Sequence, residues 1–253
     1  MSATPELKDL LQQFAPITLA EMDAVKLQSR MDTKYVFRLA DLPRILQGIM
    51  PEYRLLEVNG IRGVEYRSLY FDTPGRQHYL AHHNERTFRS KVRFREYIGS
   101  DLCYLEVKRK NGRGDTDKVR KRAPSIPAQL SAEQQAFVDR SSGCTIPLEP
   151  TLWNHFTRLT LVHRVRHERL TIDLGLTFAT ATDKRSLDGI CIAELKESRS
   201  ERGSPFNALM KSIGIRPAGM SKYCIGLLIM GLAPKHNNFK PVLLRMQGLQ
   251  RAA

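Results

Sequence analysis

Strict alternation of apolar and charged residues marks the middle of this chain. Because successive side chains of a β-strand point to opposite faces, alternation of this kind predicts a strand whose two faces differ. In residues 88–97, FRSKVRFREY, one face carries Phe88, Ser90, Val92, Phe94 and Glu96. The other face is cationic and carries Arg89, Lys91, Arg93 and Arg95.

The same periodicity predicts a chain made mostly of strands with a few helices. Apolar runs or alternations bounded by turn residues predict strands at residues 34–38, 52–58, 64–73, 86–98, 102–110, 117–123, 155–166, 168–179 and 190–198. Helical spacing predicts helices or helical turns at residues 5–30, 39–50, 74–84, 131–141, 204–214 and 221–232. The three basic strands between residues 86 and 123 follow each other as a meander.

Turn and capping residues support several of these boundaries. Asn59-Gly60 separates two predicted strands, and this pair favours the tight turn of a β-hairpin. Asp41 and Ser204 each precede a helical pattern and are predicted to be N-caps. No internal repeat or low-complexity linker divides the chain. We therefore expect a single domain, followed after Pro234 by a basic, flexible tail.

Composition indicates a globular protein with an anionic partner. Hydrophobic residues make up 42% and charged residues 26% of the 253 residues, which is typical of a folded domain. The formal net charge of +14 suggests nucleic acid, an anionic membrane surface or a phosphate-rich small molecule.

Nothing in the sequence indicates secretion, a metal-binding cysteine pair or a membrane span. The four cysteines form no CxxC pair, and the first 30 residues show no charged-then-apolar signal. The most apolar run, residues 223–233, is about half the ~20 residues that cross a bilayer. We expect a soluble, cytoplasmic protein.

Cationic faces recur on neighbouring predicted strands. Strand parity places Lys108 and Lys110 with Glu106 on one face, Lys118 and Arg120 on another, and Glu194 with Lys196 on a third. A solvated outer face explains one such strand, but like charges on adjoining strands repel each other unless an anion neutralises them. An open basic sheet would hold nucleic acid, whereas a closed barrel would enclose a cationic lumen.

Nine short motifs occur in the order of one known family. They are DTKYVFR, YRSLYFDT, KVRFREY, YLEVKRK, DKVRKR, FTRLTL, ERLTIDLGLTF, IAELK and GMSKY. In this order the chain resembles the VTC domain, the polyphosphate polymerase domain of the vacuolar transporter chaperone. That domain belongs to the CYTH-like triphosphate tunnel metalloenzyme superfamily. The resemblance covers roughly residues 25–232, leaving residues 1–24 as a helical lead-in and 233–253 as the tail.

The resemblance implies an α+β fold: a closed tunnel of eight antiparallel β-strands with helices packed outside. It also implies a polyphosphate polymerase-like enzyme that transfers the terminal phosphoryl group of ATP to a growing chain. The expected cofactor is a divalent metal, Mn²⁺ or Mg²⁺. The expected ligands are ATP, inorganic polyphosphate and tripolyphosphate.

Carried over motif by motif, the resemblance also implies which side chains form the site. The catalytic positions would be Lys34, Arg93, Arg95, Lys108, Arg158, Arg169 and Lys222. These residues would also bind substrate, together with Arg67, Lys91, Lys118, Arg120, Lys196 and Ser221. Glu194 would hold the metal, with Glu106 as the second candidate, and Arg30 is an additional candidate for the tunnel lining.

Two features depart from the family's polymerase and cyclase patterns. The terminal motif of polymerases has a lysine two residues before Ser221, where this chain has Gly219, so the tunnel mouth has one cation fewer. The ExExK signature of CYTH-type cyclases and triphosphatases is missing near the N-terminus, which disfavours that branch. The chain resembles the stand-alone prokaryotic-type members, without an SPX domain or membrane segments.

With this resemblance, the sequence still leaves three functions open. These are a polymerase, a tripolyphosphatase or nucleoside triphosphatase of the same fold, and a non-catalytic module that binds polyphosphate or nucleic acid. Single-stranded nucleic acid is disfavoured because Phe88 and Phe94 lie on the face opposite the cations, where they cannot stack on a bound strand. Asp173 is expected to be structural, and Tyr70 and Trp153 are expected to pack in the core.

Overall fold

A computed structural model describes residues 5–24, 30–112, 116–200 and 203–251, which form eight α-helices and eleven β-strands. The helices are α1 Pro5–Gln12, α2 Leu19–Ala24, α3 Leu42–Ile49, α4 Gln77–His83, α5 Ala132–Ser142, α6 Pro205–Ser212, α7 Lys222–Ile229 and α8 Lys240–Arg251. The strands are β1 Pro16–Ile17, β2 Arg30–Arg38, β3 Tyr53–Leu56, β4 Val64–Asp72, β5 Arg89–Tyr97, β6 Cys103–Lys110, β7 Thr116–Ala123, β8 Glu149–His163, β9 Glu168–Ala179, β10 Lys184–Ser186 and β11 Ile190–Ser198.

Eight of the strands form one antiparallel path in the order β2-β11-β9-β8-β4-β5-β6-β7. This confirms the predicted α+β fold with eight antiparallel strands. Among the described residues the hydrogen-bonded path ends at β2 and β7. Side chains from both end strands nevertheless line one cavity, since Lys34 of β2 and Lys118 of β7 are both in its wall. The sheet therefore curls until its two ends face each other.

The two faces of the sheet are used as the alternation predicts. We call the face that carries Lys91, Arg93 and Arg95 the inner face. On the outer face of β5 and β6, Val92, Phe94 and their neighbours are buried beneath α5. A second outer core packs α1, α3 and α6 against β2, β9 and β11. Helices thus cover the outer face, as predicted.

Helix α7 fills one half of the inner side. Its buried residues pack against the inner-facing Tyr66, Phe156 and Phe178. The approach is close at Gly226, where an added Cβ would lie 2.5 Å from side-chain atoms of both Phe178 and Leu152. One half of the inner side is therefore an apolar core, and the other half is left for the polar side chains of the cavity.

A bulge between β8 and β9 allows one strand, β9, to contribute side chains both to the polar cavity and to the apolar core around α7. The register of the two strands shifts between His155 and Thr157, opposite Gly175, whose φ of +59° is in the left-handed region. Asp173 faces the cavity before the bulge, and Phe178 faces the apolar core after it. Strict alternation from Asp173 would have turned Phe178 outward.

The hairpin predicted at Asn59-Gly60 is only partly formed. Both residues have positive φ, and Val58 and Ile61 exchange two backbone hydrogen bonds of 2.9 Å around them. The flanking strands do not pair with each other, because β3 pairs with β1 and β8 whereas β4 pairs with β5 and β8. The tight turn was correct and the predicted strand pairing was wrong.

The two predicted caps differ in what their side chains do. Ser204 accepts a hydrogen bond from the backbone N–H of Asn207 and caps α6, as predicted. Asp41 occupies the N-cap position of α3, but its carboxylate makes no cap hydrogen bond. It accepts instead from the Arg38 guanidinium at 3.0 and 3.1 Å, because that charged donor lies three residues away.

The end of the chain forms a helix where the sequence suggested a flexible tail. Residues Lys240–Arg251 form α8, and its Met246 is buried in the core around α7. Val242, Met246 and Leu249 recur at helical spacing, but the basic and polar residues between them obscured this pattern. None of the helices within the described residues has the length and apolar character that a membrane span requires.

Candidate functional site

A strongly cationic cavity of about 190 Å³ lies at the inner side of the sheet. Each of the eight strands in the path contributes at least one side chain to its wall, and the N-terminus of α7 contributes Ser221 and Lys222. The cations in the wall are Lys34, Lys91, Arg93, Arg95, Lys108, Lys118, Arg158, Lys196 and Lys222. Four carboxylates accompany these nine cations, which leaves an excess of five positive charges.

Glu106 of β6 holds two cations at the floor of the cavity. Its carboxylate is 2% exposed, and Oε2 accepts from Arg93 Nη2 at 2.7 Å and from Nε at 2.9 Å. Lys118 Nζ donates to the other oxygen, Oε1. Burial raises the pKa of Glu106, but Arg93, Arg95 and Lys118 outweigh burial and hold it well below its usual range. Glu106 therefore remains an anion that fixes cations of the two strands on either side of it, β5 and β7.

Asp173 of β9 likewise holds two cations, one from β8 and one from α7. Arg158 donates to its two oxygens from Nε at 2.6 Å and from Nη2 at 2.8 Å, and Lys222 Nζ donates to Oδ2. Burial opposes ionisation, but Arg158 and Lys222 lower the pKa of Asp173 to about 2. This carboxylate anchors Lys222 and thus the start of α7 in the cavity. The positive end of the α7 dipole adds to the cationic potential there.

Glu194 of β11 forms a third, more accessible ion pair. Its Oε1 lies 3.1 Å from Lys34 Nζ, and the two side chains are 20% and 30% exposed. Burial raises the pKa of Glu194, but Lys34, Lys196 and Arg158 hold it well below its usual range. Glu194 is thus an ionised carboxylate in the cavity with more exposure than Glu106.

Arg95 has the weakest internal pairing of the arginines in the wall. It is 7% exposed, its Nε has no hydrogen-bond partner, and that atom lies 4.0 Å from Glu106 Oε2. Its guanidinium instead lies over the Tyr66 ring, 5.2 Å from the centroid. Burial and the neighbouring Arg93 charge lower the pKa of Arg95. An incoming anion should therefore contribute more binding free energy at this unpaired buried donor than at an arginine that already donates to a carboxylate.

Burial also makes several lysines of the wall easier to deprotonate. It lowers the pKa of Lys91, Lys118 and Lys222 to about 8 in each case, and the pKa of Lys108 is lowered too. Neighbouring cations add to this effect at all four positions. The cavity thus concentrates like charge at a cost that an anionic ligand would relieve.

Most of the sequence-predicted site residues meet in this cavity, and three stand apart. Arg67 projects from the outer face of β4, where it pairs with Glu96 at 2.7 Å and lies over Trp153. Its position in the chain has the opposite parity to Tyr70, which lines the cavity, so Arg67 cannot reach it.

Arg120 and Arg169 project from inner faces but lie outside the cavity wall. Arg120 lies over the Tyr104 ring, with its Cζ 4.8 Å from the centroid. Arg169 donates to the backbone carbonyl of Met22 in α2 at 3.1 Å. The side chain of Arg30 lies outside the described part of the structure.

Sequence reasoning missed two carboxylates and a tyrosine of the wall, which are Asp32, Asp173 and Tyr70, and also Thr116, Ile192 and Met220. Asp173 has the parity of Arg169, and Asp32 has the parity of Lys34, so strand parity could have placed both carboxylates on the inner face. Tyr70 was expected in the core. Its hydroxyl accepts from Arg93 Nη1 at 3.2 Å while its ring packs on Tyr223.

The carboxylates of the wall are suited to a metal that is shared with a bound phosphate. Within the described residues, no group of three His, Cys, Asp or Glu side chains is arranged to hold a metal ion. Mg²⁺ sites in phosphate-binding enzymes often use only one or two carboxylates, and phosphate oxygens and water supply the rest. Glu194 and Asp32 both line the cavity from the neighbouring strands β11 and β2, which fits this arrangement. Glu106 fits less well because both its oxygens already accept from cations.

Solved structures with a similar arrangement of strands come from several organisms. A protein from Hippeastrum, assigned as an adenylyl cyclase and reported to have a dominant triphosphatase activity, is 16% identical, with a TM-score of 0.48 over 78% of this chain and 94% of that one. A protein from Bacillus halodurans, assigned as an adenylate cyclase, is 14% identical, with a TM-score of 0.47 over 76% and 94%. The PH1819 protein of Pyrococcus horikoshii is 12% identical, with a TM-score of 0.42 over 78% and 95%.

The sequence itself matches one family model over most of its length. A search of curated proteins found none that matches the chain. The family model of the VTC domain matches residues 29–231, which include every strand of the eight-stranded path and every cation of the cavity wall. This chain belongs to the VTC domain family.

Proposed function

We propose that this protein is a polyphosphate polymerase-like phosphotransferase. It would bind the triphosphate of ATP, or the end of an inorganic polyphosphate chain, in the cationic cavity and transfer a phosphoryl group with the help of a divalent metal. The observation that carries this proposal is the cavity wall itself, in which nine cations and four carboxylates converge from seven of the eight strands and from the start of α7. Folding together so many like charges is costly unless a polyanion neutralises them.

The wall supplies what phosphoryl transfer asks of a protein. Such reactions need little covalent help, because they depend on positioning and on stabilising charge at the phosphoryl oxygens. Arginine donates two parallel hydrogen bonds to a phosphate, and lysine contributes a compact charge. Arg93 and Arg95 lie two residues apart on one strand face, about 7 Å, which suits neighbouring phosphoryl groups of one extended chain.

The three anchored carboxylates keep this cationic wall in place without a ligand. Glu106, Asp173 and Glu194 hold five of the nine cations, so these five donors are arranged before the phosphate arrives; they are Lys34, Arg93, Lys118, Arg158 and Lys222. Preorganised donors of this kind stabilise a transition state without the cost of moving at the moment of reaction.

The metal would be held by Glu194, with Asp32 as the second carboxylate. When bound, a divalent ion supplies charge neutralisation between adjacent phosphate oxygens. Lys34 lies 3.1 Å from Glu194 and would turn from this carboxylate to the phosphate as the ligand enters. Lys222, fixed on Asp173, would remain as a donor at the start of α7.

A nucleic-acid-binding role has less support. Phe94, the apolar partner of the cationic strand face, is fully buried beneath the outer helices and offers no stacking surface to a base. The cations also line an enclosed cavity and not an extended groove, which suits a narrow phosphate chain better than a duplex.

The test is an incubation of the pure protein with ATP and either Mn²⁺ or Mg²⁺, in which long-chain polyphosphate and free phosphate are followed together. A polymerase produces polyphosphate in step with ADP. Release of phosphate without polyphosphate would identify a hydrolase of the same fold. No turnover with any metal, despite tight binding of tripolyphosphate, would leave a binding protein and contradict the proposed enzyme.

A further inference from the structure

Three lysines lie side by side across three neighbouring strands of the cavity wall. Lys91 of β5 is directly opposite Lys108 of β6, and Lys108 is directly opposite Lys118 of β7. We call these three residues the lysine row, and all of them line the cavity. Like charges that face each other on paired strands repel. The lysine row therefore brings three positive charges together with no carboxylate in the same row.

The members of the lysine row differ in what their amines contact. Lys118 Nζ donates to the buried carboxylate of Glu106. Lys91 Nζ makes no hydrogen bond and no ion pair with any other residue that the structure describes. The side chain of Lys91 is nevertheless partly buried in the cavity wall. Lys91 is thus a cation with neither full hydration nor a counter-charge.

This environment favours the uncharged form of Lys91. The ionisable groups around its amine are Lys34, Arg93, Lys108, His82 and Cys224. Burial and the neighbouring lysine and arginine charges lower the pKa of Lys91 to about 8. At pH 8 about half of the molecules then carry a free amine there, against less than about 1% for a lysine with the ordinary pKa of about 10.4. A lysine that is desolvated beside other cations is an activated nucleophile.

A second lysine of the wall shows what distinguishes Lys91. Burial also lowers the pKa of Lys222 to about 8, but Lys222 Nζ donates to the carboxylate of Asp173. Its amine is therefore held against an anion that favours the charged form. Lys91 combines the same pKa with an amine that no carboxylate holds.

The cations of the wall would bring a phosphate-bearing electrophile to this amine. In an acyl phosphate the reactive carbonyl carbon is bonded to an oxygen of the phosphoryl group. Arg93 lies two residues from Lys91 on the same strand face, about 7 Å away, so a phosphoryl group held by Arg93 places that carbon within reach of the flexible Lys91 side chain. The ligand's roughly two negative charges are fewer than the excess of five positive charges in the wall, so Lys91 stays in cationic surroundings.

We propose that Lys91 is a site of covalent modification, at which acyl phosphates acylate the side-chain amine. The lone pair of Nζ attacks the carbonyl carbon, and the bond from that carbon to the phosphate oxygen breaks. The proton that Nζ loses ends on the departing inorganic phosphate, and the product is an uncharged amide. This proposal rests on the proposed phosphate-binding role of the cavity. It adds a reaction that removes one cation from the wall and so weakens polyanion binding.

The experiment incubates the pure protein with acetyl phosphate in EDTA at pH 8 and follows each lysine by peptide mass spectrometry. Lys91 should be acetylated at least about tenfold faster than Lys222, the matched control with the same pKa, and than Lys211, an exposed lysine of α6. Excess tripolyphosphate should slow the reaction at Lys91 at least about tenfold, because it fills the cavity and raises the pKa of the amine. The product should survive hydroxylamine, which cleaves a thioester at Cys224 but not an amide.

The pH profile separates Lys91 from an ordinary lysine. Between pH 8 and pH 9.5 its rate should rise only about twofold, since a group with a pKa of about 8 is already half deprotonated at the start. A lysine with a pKa of about 10.4 would gain about 30-fold over the same range. A gain of that size at Lys91 would contradict the activated amine.

Two variants test the consequence for binding. Lys91→Gln is uncharged like the amide and should weaken tripolyphosphate binding about tenfold, and acetylated wild type should be weakened to the same extent. Lys91→Arg keeps the charge but has no amine that acetyl phosphate modifies. It should bind tripolyphosphate within about threefold of the wild type, both before and after treatment.

Each outcome bears on the proposal. Equal rates at Lys91 and Lys222, a rate at Lys91 that tripolyphosphate does not slow, or a modification of Cys224 in its place would each overturn it. If the wild type binds tripolyphosphate while Lys91 is not acetylated, this modification alone is refuted. If the wild type does not bind tripolyphosphate, the proposed function of the cavity is refuted as well. Modification of the wild type needs no substitution, so the test stands even where a variant fails to fold.

Discussion

Replacing Arg95 with methionine should separate ligand binding from the stability of the fold. Arg95 is 7% exposed, and its Nε has no hydrogen-bond partner in the ligand-free protein. Arg93, two residues away on the same face, donates twice to the buried carboxylate of Glu106. Both arginines should contact phosphate, but only Arg93 should contribute strongly to the ligand-free fold.

The expected loss of binding is similar for both residues. A charge-assisted, bidentate contact between arginine and phosphate contributes about 3 kcal/mol in a partly desolvated site. Arg95→Met and Arg93→Met should therefore each weaken tripolyphosphate binding about 100-fold. Arg67→Met is the matched control, because Arg67 lies on the outer face of β4 and pairs with Glu96. It should bind tripolyphosphate like the wild type.

The expected effects on unfolding differ. Arg95→Met loses a cation–π contact with Tyr66 of about 1 kcal/mol, but it also removes a buried donor whose lack of a partner costs about as much. The two terms nearly cancel, so the free energy of unfolding should change by about 1 kcal/mol or less. Arg93→Met removes one partner of a buried ion pair, which costs about 3 kcal/mol or more.

Calorimetric titration with tripolyphosphate and thermal melts of the three variants provide the test. For a protein of this size 1 kcal/mol shifts Tm by about 2–4 °C, so Arg93→Met should melt at least about 6 °C lower and Arg95→Met within about 4 °C of the wild type. Equal destabilisation of both arginine variants would refute the inference that Glu106 stabilises Arg93 much more than Arg95. Unchanged affinity in Arg95→Met would refute its role in anion binding.

Three further predictions follow from the same geometry. Glu194→Gln should abolish metal-dependent turnover yet keep tripolyphosphate affinity within about threefold, as activity assays and titrations would show; full activity in this variant would exclude Glu194 as a metal ligand. Burial lowers the pKa of three lysines, Lys91, Lys118 and Lys222, to about 8, and a bound polyanion should raise these values again. Binding at pH 8 should therefore take up protons, and binding at pH 6.5 should take up none through these lysines; titrations in buffers with different ionisation enthalpies measure this, and equal heats in all buffers at pH 8 would contradict it. Gly226→Ala should lower Tm by at least about 5 °C in thermal melts because an added Cβ has no room against the sheet, and an unchanged Tm would contradict the close packing of α7.

Strand parity predicted the cationic wall because period two is a local property of the backbone. Lys91, Arg93 and Arg95 share a face in any strand that contains them, and Lys108 and Lys118 follow the same rule on the next two strands. The order of the motifs then indicated that these faces meet in a tunnel. These predictions needed no knowledge of which side chains pair.

The pairing of charges is what the sequence could not supply. From the sequence, every arginine of FRSKVRFREY repels its neighbours equally. In the structure Glu106 neutralises Arg93 and leaves Arg95 over an aromatic ring, because the register between β5 and β6 places Glu106 opposite Arg93. For the same reason the sequence did not reveal the role of Asp173 as an ion-pair partner, since its two partners lie 15 residues before it and 49 residues after it.

Three further misses come from register, from packing between distant segments and from the parity of one arginine. The bulge at Gly175 changes which residues of β9 face inward, and alternation alone gives no sign of such a shift. Helix α8 packs against β2 and β11 and buries Met246 in the core around α7, a contact between segments that are far apart in the sequence. Arg67 was assigned to the lining by motif position, although its parity with respect to Tyr70 places it outside.

The central claim, that the cavity is built for a phosphate chain, is tested most directly by thermal melts with tripolyphosphate and with sulfate at matched ionic strength. A ligand at 100 times its Kd stabilises a protein by about 2.7 kcal/mol, which corresponds to a rise in Tm of about 5–11 °C here. Tripolyphosphate should produce a rise of this size in the wild type and little in Arg95→Met, while sulfate should produce less than about 2 °C in either. Equal shifts from the two anions, or a full tripolyphosphate shift in Arg95→Met, would contradict the claim.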